Sequence, residues 1–143
     1  MVNDVDPVTG TSALFEAIEI LDHDLIDRLC DKGARTNNND WQKLGEMLID
    51  LTKRQQYEKI SALVNLARRR PEIELDLDYR DKEMGRTVLH YTATVGRKDI
   101  AELYVQSSLN CDILAIDNEG LNAADIAKRH GHAEVEEYLR NQF

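Results

Sequence analysis

"GRTVLHYTATVGRKDIAELY", Gly85 to Tyr104, holds one histidine three residues after a threonine, two glycines and a short apolar stripe. Its reading decides the fold, because His90 is either a chemical group or a fixture of a helix start. Thr87 is placed to open a helix, where its hydroxyl caps a free backbone N–H of the first turn. His90 lies one turn further on. No nucleophile stands at a spacing that would make it a catalytic base. The structural reading is the one carried outward.

The same spacings recur along the chain. Gly85 and Gly120 are 35 residues apart, as are Gly96 and Gly131, and Ile100 and Val135 share that offset. Gly10, Leu14, Ala17 and Leu25 stand where Gly85, Leu89, Thr92 and Ile100 stand, 75 residues earlier, which is two periods with some insertion. Between these markers the apolar spacing reads as helix almost throughout. Leu14, Ala17, Ile18 and Leu21 form one stripe, and Leu25, Ile26, Leu29 and Cys30 the next. Leu44, Met47, Leu48 and Leu51 are followed by Ile60, Leu63, Val64 and Ala67. Ile100, Leu103 and Tyr104 form another stripe, and Val135, Tyr138 and Leu139 the last. The stripes come in pairs. Gly33 and Asn110 end helices in positions that favour a left-handed residue. Pro7 and Pro71 fall at expected helix borders. The polar runs Arg35–Asp40, Asp76–Gly85 and Asp112–Gly120 read as loops between pairs. "IELDLDY" (Ile73–Tyr79) alternates, but it occupies the same place in its unit as "CDILAID" (Cys111–Asp117). Both read as extended loop arms, without a sheet.

A two-helix unit of this length, repeated four times, resembles the ankyrin repeat, a unit of about 33 residues. "TVLH" stands for the family's Thr-Pro-Leu-His, with Val88 in place of proline. The fourth unit, "DNEGLNAADIAKRHGHAEVEEYL", resembles the family's terminal form, with Asn122 for threonine and Asp125 for histidine. The first unit keeps "SAL", Ala17 and "LCDKGA", but Leu21 stands where the mid-unit glycine belongs. The second lacks both the motif and that glycine. The resemblance implies an all-α fold: one ankyrin-repeat solenoid of four helix–turn–helix units with hairpin-like loops, at residues 7–39, 40–77, 78–114 and 115–143. Such units are stable only when stacked. Glu16 and Glu19 at one end, and Glu134, Glu136, Glu137 and Arg140 at the other, supply polar outer faces. In this family the threonine and histidine tie the turn to the helix.

Charge and composition narrow the function. The net charge of −9 disfavours a nucleic-acid binder, which needs a positive field. Residues 71–143 carry 15 acidic against 8 basic side chains, so that half attracts a basic partner and repels an acidic membrane. Cys30 and Cys111 are too few for a disulfide framework and read as reduced, buried thiols. The N-terminus has no apolar core of the kind a signal peptide carries, and no stretch reads as membrane-spanning. An intracellular protein of the cytoplasm or nucleus is the expectation.

No catalytic, cofactor or metal site is expected. His130 and His132 are two residues apart and do not share a helical face. Zinc spacings, a phosphate loop and a nucleophile elbow are all missing. "RRRP" (Arg68–Pro71) with Lys53, Arg54 and Lys59 reads as a solvated helix end, a nuclear-import signal or a contact for an acidic partner. Trp41 reads as sitting on a loop tip, either packed on the following helix or serving as a binding anchor.

The resemblance implies a non-catalytic module that binds a partner protein through a concave surface of loop tips and first helices. Carried onto this chain, the tip positions are Trp41, Gln42, Tyr79, Arg80, Asp81, Glu83, Met84 and Arg86, then Ile116, Asn118, Glu119 and Leu121. The first helices contribute Glu19, Ile20, Thr94, Val95, Arg129 and His130. Two alternatives share the architecture. One is a dedicated inhibitor of a transcription factor or kinase, similar to the NF-kappa-B inhibitors. The other is a non-catalytic activating subunit of an enzyme complex.

Overall fold

A computed structural model describes residues 3, 5, 7, 8, 10–107, 109 and 111–142. Among them there are eight α-helices and no strand. They are α1 (Ala13–Glu19), α2 (His23–Asp31), α3 (Asn38–Lys53), α4 (Tyr57–Arg69), α5 (Val88–Val95), α6 (Lys98–Val105), α7 (Ala123–Arg129) and α8 (Ala133–Arg140). None is long and apolar enough to cross a membrane.

Each odd-numbered helix starts on a side-chain cap. Ser12 Oγ accepts from the Phe15 N–H at 3.2 Å. Asn37 Oδ1 accepts from the Asp40 N–H at 2.8 Å, and Asp40 Oδ2 accepts from the Asn37 N–H at 3.0 Å. Asn122 and Asp125 make the same reciprocal pair at 2.9 and 3.2 Å. At Thr87, His90 Nδ1 accepts from the backbone N–H at 3.2 Å and from the hydroxyl at 2.9 Å. These bonds satisfy donors that a helix start leaves open.

The turn inside each pair needs a left-handed residue. Gly96 (φ 78°) and Gly131 (φ 75°) supply it without a Cβ clash. Leu21 (φ 53°) and Gln55 (φ 60°) adopt the same conformation with a side chain attached, at a steric cost.

Partners within a pair pack together: α1 on α2, α3 on α4, α5 on α6 and α7 on α8. Between pairs, α3, α5 and α7 form one row and α4, α6 and α8 another. The apolar stripes of both rows meet in one core, which includes Leu14, Leu48, Ile60, Leu89 and Ala127. Alanines 93, 101, 124 and 127 let neighbouring helices approach closely. Tyr104 is fully buried, and its hydroxyl lies 3.2 Å from Thr52 Oγ1, which ties α6 to α3.

Polar bonds fasten the first pair to the second. Asp40, fully buried, accepts from the Ser12 N–H at 2.9 Å and from the Ser12 hydroxyl at 2.5 Å. Arg69 and Arg70, at the end of α4, reach Asp27 on α2 at 2.9 and 3.0 Å, and Arg70 also reaches Asp31 at 3.2 Å. Two of the arginines in "RRRP" are therefore an inter-helix clamp, whereas Arg68 remains exposed.

The structure corrects several expectations. Trp41 and Gln42 lie in the first turn and a half of α3, because the asparagine run that reads as loop is the helix start itself. Asp40 is buried inside that helix start. Pro7 sits in a turn six residues ahead of α1, away from any helix border. Cys30 is buried but Cys111 only half-buried, and neither forms a disulfide. Asn110 lies outside the described residues.

Candidate functional site: the loop-tip face

The arms between pairs form two turns that lock onto each other. In the first, Asp81 Oδ1 accepts from the N–H groups of Met84 and Arg86 at 3.0 and 3.1 Å. In the second, Asp117 Oδ1 accepts from Glu119 and Leu121 N–H at 2.9 and 3.0 Å. An aspartate that caps its own turn in this way fixes the turn locally. The Asn118 N–H donates to the Met84 carbonyl at 2.9 Å. Arg80 Nη1 donates to the Ile116 carbonyl at 2.6 Å, and Arg86 Nε to Asp117 Oδ2 at 3.1 Å. A Cβ on Gly85 would press on the Asn118 side chain at 2.5 Å, and the φ of 66° there is strained for any other residue.

Electrostatics follow from this wiring. Burial pushes the Asp81 carboxyl up, but the Tyr91 hydroxyl, the Arg86 and Met84 N–H groups and Lys53 outweigh it. Its pKa falls below the ordinary 3.8. Asp117 behaves alike: burial is outweighed by the Leu121 N–H and by Arg86. Both stay ionised as acceptors inside the turns. Tyr91 donates to Asp81 Oδ2, and burial followed by that bond pushes its own pKa up.

His90 belongs to the same wiring. It is 1 % exposed. Its Nδ1 accepts from Thr87, so Nε2 carries the proton and donates to the Leu121 carbonyl at 2.9 Å. Burial lowers its pKa, against the Leu121 bond and the Asp117 charge, which raise it. It therefore links the start of α5 to the following tip as a neutral imidazole.

The eighteen expected contact positions divide by what the structure does with them. Arg80, Asp81, Met84, Arg86, Leu121 and Thr94 are spent on internal bonds. Thr94 Oγ1 donates to the His90 carbonyl at 3.1 Å, and His132 Nε2 lies 3.0 Å from the Thr94 carbonyl. Val95 is half-buried at the end of α5. Glu119 pairs with Arg129 at 2.9 Å on the surface. His130 is exposed and stacks on His132 at 6.4 Å between ring centroids. Glu19 and Ile20, at the end of α1, are exposed. The positions whose side chains face solvent on this side are Trp41 (42 % exposed), Ile116 (50 %) and Asn118, with Gln42 and Glu83 exposed but bonded to Glu46 and Lys53. Leu114, 57 % exposed beside Ile116, was missed because it falls in an arm rather than at a motif position.

Tyr79 bridges α3 and the first tip. Its ring lies on Gly45, where a Cβ would come within 2.6 Å of the ring carbon Cγ. Its hydroxyl donates to Glu46 Oε1 at 3.2 Å. Burial, then the Glu46 charge, raises its pKa. Gln42 Nε2 donates to the same Glu46 oxygen at 3.3 Å. Trp41 and Gln42 on α3 and Tyr79 on the arm packed against it thus stand together.

Burial pushes the half-buried Cys111 thiol up to about 12, which leaves it a thiol at neutral pH and a poor nucleophile. Among the described residues, no group of three or more His, Cys, Asp or Glu side chains is placed to hold a metal ion.

No protein-family model matches the chain. No curated protein matches it. Among solved structures it is similar to a chain of the complex between Bd0816, a predatory endopeptidase from Bdellovibrio bacteriovorus, and the immunity protein Bd3460. The TM-score is 0.53 with 24 % identity over 66 % of this chain. This chain spans 44 % of the length of that one. At that identity the likeness concerns the fold alone.

Proposed function

We propose that this chain is a non-catalytic protein-binding module of the ankyrin-repeat type. It holds a partner protein with a basic patch against its loop tips and the exposed side of its first helices. The observation that carries this reading is the cross-wiring of the two tips. Arg80, Asp81, Arg86, His90 and Asp117 make the backbone of residues 79–86 and 116–121 one pre-organised surface. Trp41, Leu114 and Ile116 stand exposed beside it. A rigid surface with a few exposed apolar anchors in a polar surround binds without a large ordering cost. The rows α3–α5–α7 and α4–α6–α8 agree with stacked two-helix units.

A second reading within this class is a dedicated inhibitor. Its motive is the solved complex above, in which a chain of similar fold belongs to an assembly of an endopeptidase with an immunity protein. Affinity capture from the source cell, followed by assay of the captured partner's own activity, separates the readings. Loss of activity marks an inhibitor, gain an activating subunit, and no change an adaptor. A partner whose binding survives both Ile116→Asp and Trp41→Ala would overturn the assignment to this face.

A further inference from the structure

The first helix pair is fastened to the rest differently from the others. α1 and α2 pack closely on each other but sparsely on α3 and α4, whereas each later pair packs closely on its neighbour. Side-chain size accounts for the difference. The buried faces of α5 and α7 carry Ala93, Ala124 and Ala127, which let backbones close up. Those of α1 and α3 are filled chiefly by Leu14, Phe15, Ile18, Leu44 and Leu48. The wider first seam leans on polar bonds.

These bonds form two groups. At the start of α3, Asp40 holds Ser12, and the Asn37 and Asn39 side-chain amides donate to the Gly10 carbonyl at 3.3 and 3.2 Å. At the end of α4, Arg69 and Arg70 hold Asp27, and Arg70 also holds Asp31. The Arg69 and Asp31 side chains are 49 % and 69 % exposed, so dissolved ions reach this clamp. The connection between α2 and α3 contains Gly33 at φ 94°, with open space where a side chain would stand. Such a residue at the end of an element absorbs a hinge motion. Cys30, 6 % exposed on α2, lies against the same seam. Burial raises its pKa, and after burial the charges of Glu72 and Arg70, on the far side, act on it.

We propose that α1 and α2 form a cap that opens as one body, held shut by an ionic latch of Asp27 and Asp31 on Arg69 and Arg70. A part of a structure with few close contacts opens at a lower free energy than the whole. Opening unties the start of α3, because Asp40 loses Ser12 while Asn37 and Asn39 lose Gly10. Trp41 stands on that start, so the latch governs the order of the turn that carries it. The arginines freed by opening join the exposed Arg68, and an anion that competes for them favours the open cap.

Alkylation by iodoacetamide tests the latch on the full chain carrying Cys111→Ser, in which Cys30 is the one remaining thiol. Loss of helicity in denaturant gives the global unfolding constant of the same chain. Cys30 is expected to react at least about tenfold faster than global unfolding alone allows. Raising NaCl from about 20 mM to about 0.5 M should quicken the reaction about threefold. The double variant Asp27→Asn/Asp31→Asn should react about fivefold faster at low salt and respond little to salt. Alkylation at the rate set by global unfolding, or an equal salt response with and without the two aspartates, would overturn the proposal. Hydrogen exchange on the unsubstituted chain tests it without those variants. The amides of α1, α2, Asp40 and Trp41 should share one opening constant, larger than that of α5 and α7. Exchange in α1 and α2 no faster than in α5 and α7, or an Asp40 amide protected like those of α5, would overturn it as well.

Discussion

Replacing His90 with alanine tests whether the histidine holds the tips or touches the partner. Three bonds go with the imidazole: two from Thr87 and one to the Leu121 carbonyl. The Leu121 carbonyl keeps the Asp117 N–H at 2.9 Å, so it is not orphaned. The Thr87 N–H, at a residue 1 % exposed, loses its acceptor. Neutral hydrogen bonds contribute about 1 kcal/mol each, an orphaned buried donor costs about 1–3 kcal/mol, and these partly overlap. With the void left by the ring, the loss is about 3 kcal/mol. For a chain of this size that lowers Tm by about 10 °C. The pH dependence has a definite sign. Burial holds the native imidazole below its ordinary 6.5, so the native state stays neutral while the unfolded chain takes up a proton. Stability is full above pH 6.5 and is lost as pH falls through that value toward the native pKa, by at most about 1.4 kcal/mol per pH unit from this group. The alanine variant lacks this contribution, so its stability should fall less steeply below pH 6.5. Calorimetry across pH 5–8, with partner affinity measured alongside, checks both points. A Tm loss under about 3 °C, an unchanged pH slope, or an affinity loss larger than the stability loss would refute the structural role.

Gln55→Gly should raise stability by about 0.5–1 kcal/mol in denaturant titration, because it removes the left-handed strain at an exposed residue with φ 60° at a smaller entropic cost. Asp40→Ala should cost about 3 kcal/mol, since its carboxylate holds the Ser12 N–H, the Ser12 hydroxyl and the Asn37 N–H. Hydrogen exchange should then show α1 and α2 opening before the rest. Gly45→Ala should lower Tm despite alanine's better helix propensity, because the new methyl meets the Tyr79 ring. It should also release the Tyr79 hydroxyl from Glu46, which tyrosine absorption during alkaline titration would show as a downward shift.

What the sequence disclosed was local. Thr87 and His90, like Asn122 and Asp125, are three residues apart and bond within one turn, so their pattern could be read without the fold. Gly96 and Gly131 announced their turns because glycine is cheap at positive φ. Leu21 and Gln55 make the same turn with no such signal, closed by local backbone bonds such as Asp22 N–H to the Ala17 carbonyl and Gln56 N–H to the Leu51 carbonyl. "NNND" was misread because asparagine is a weak helix former. The Asn37–Asp40 spacing of a capping box was the cue that went unused. Arg69 and Arg70 looked like a free basic patch because their acceptors, Asp27 and Asp31, lie a full unit away in the chain.

The most direct test of the central claim is a hydrogen-exchange footprint of the chain bound to its captured partner. Slowed exchange confined to residues 79–86, 112–121 and the N-terminal half of α3, with α4, α6 and α8 unchanged, is the expected result. Protection centred on α4, α6 and α8 with the tips unaffected would contradict it.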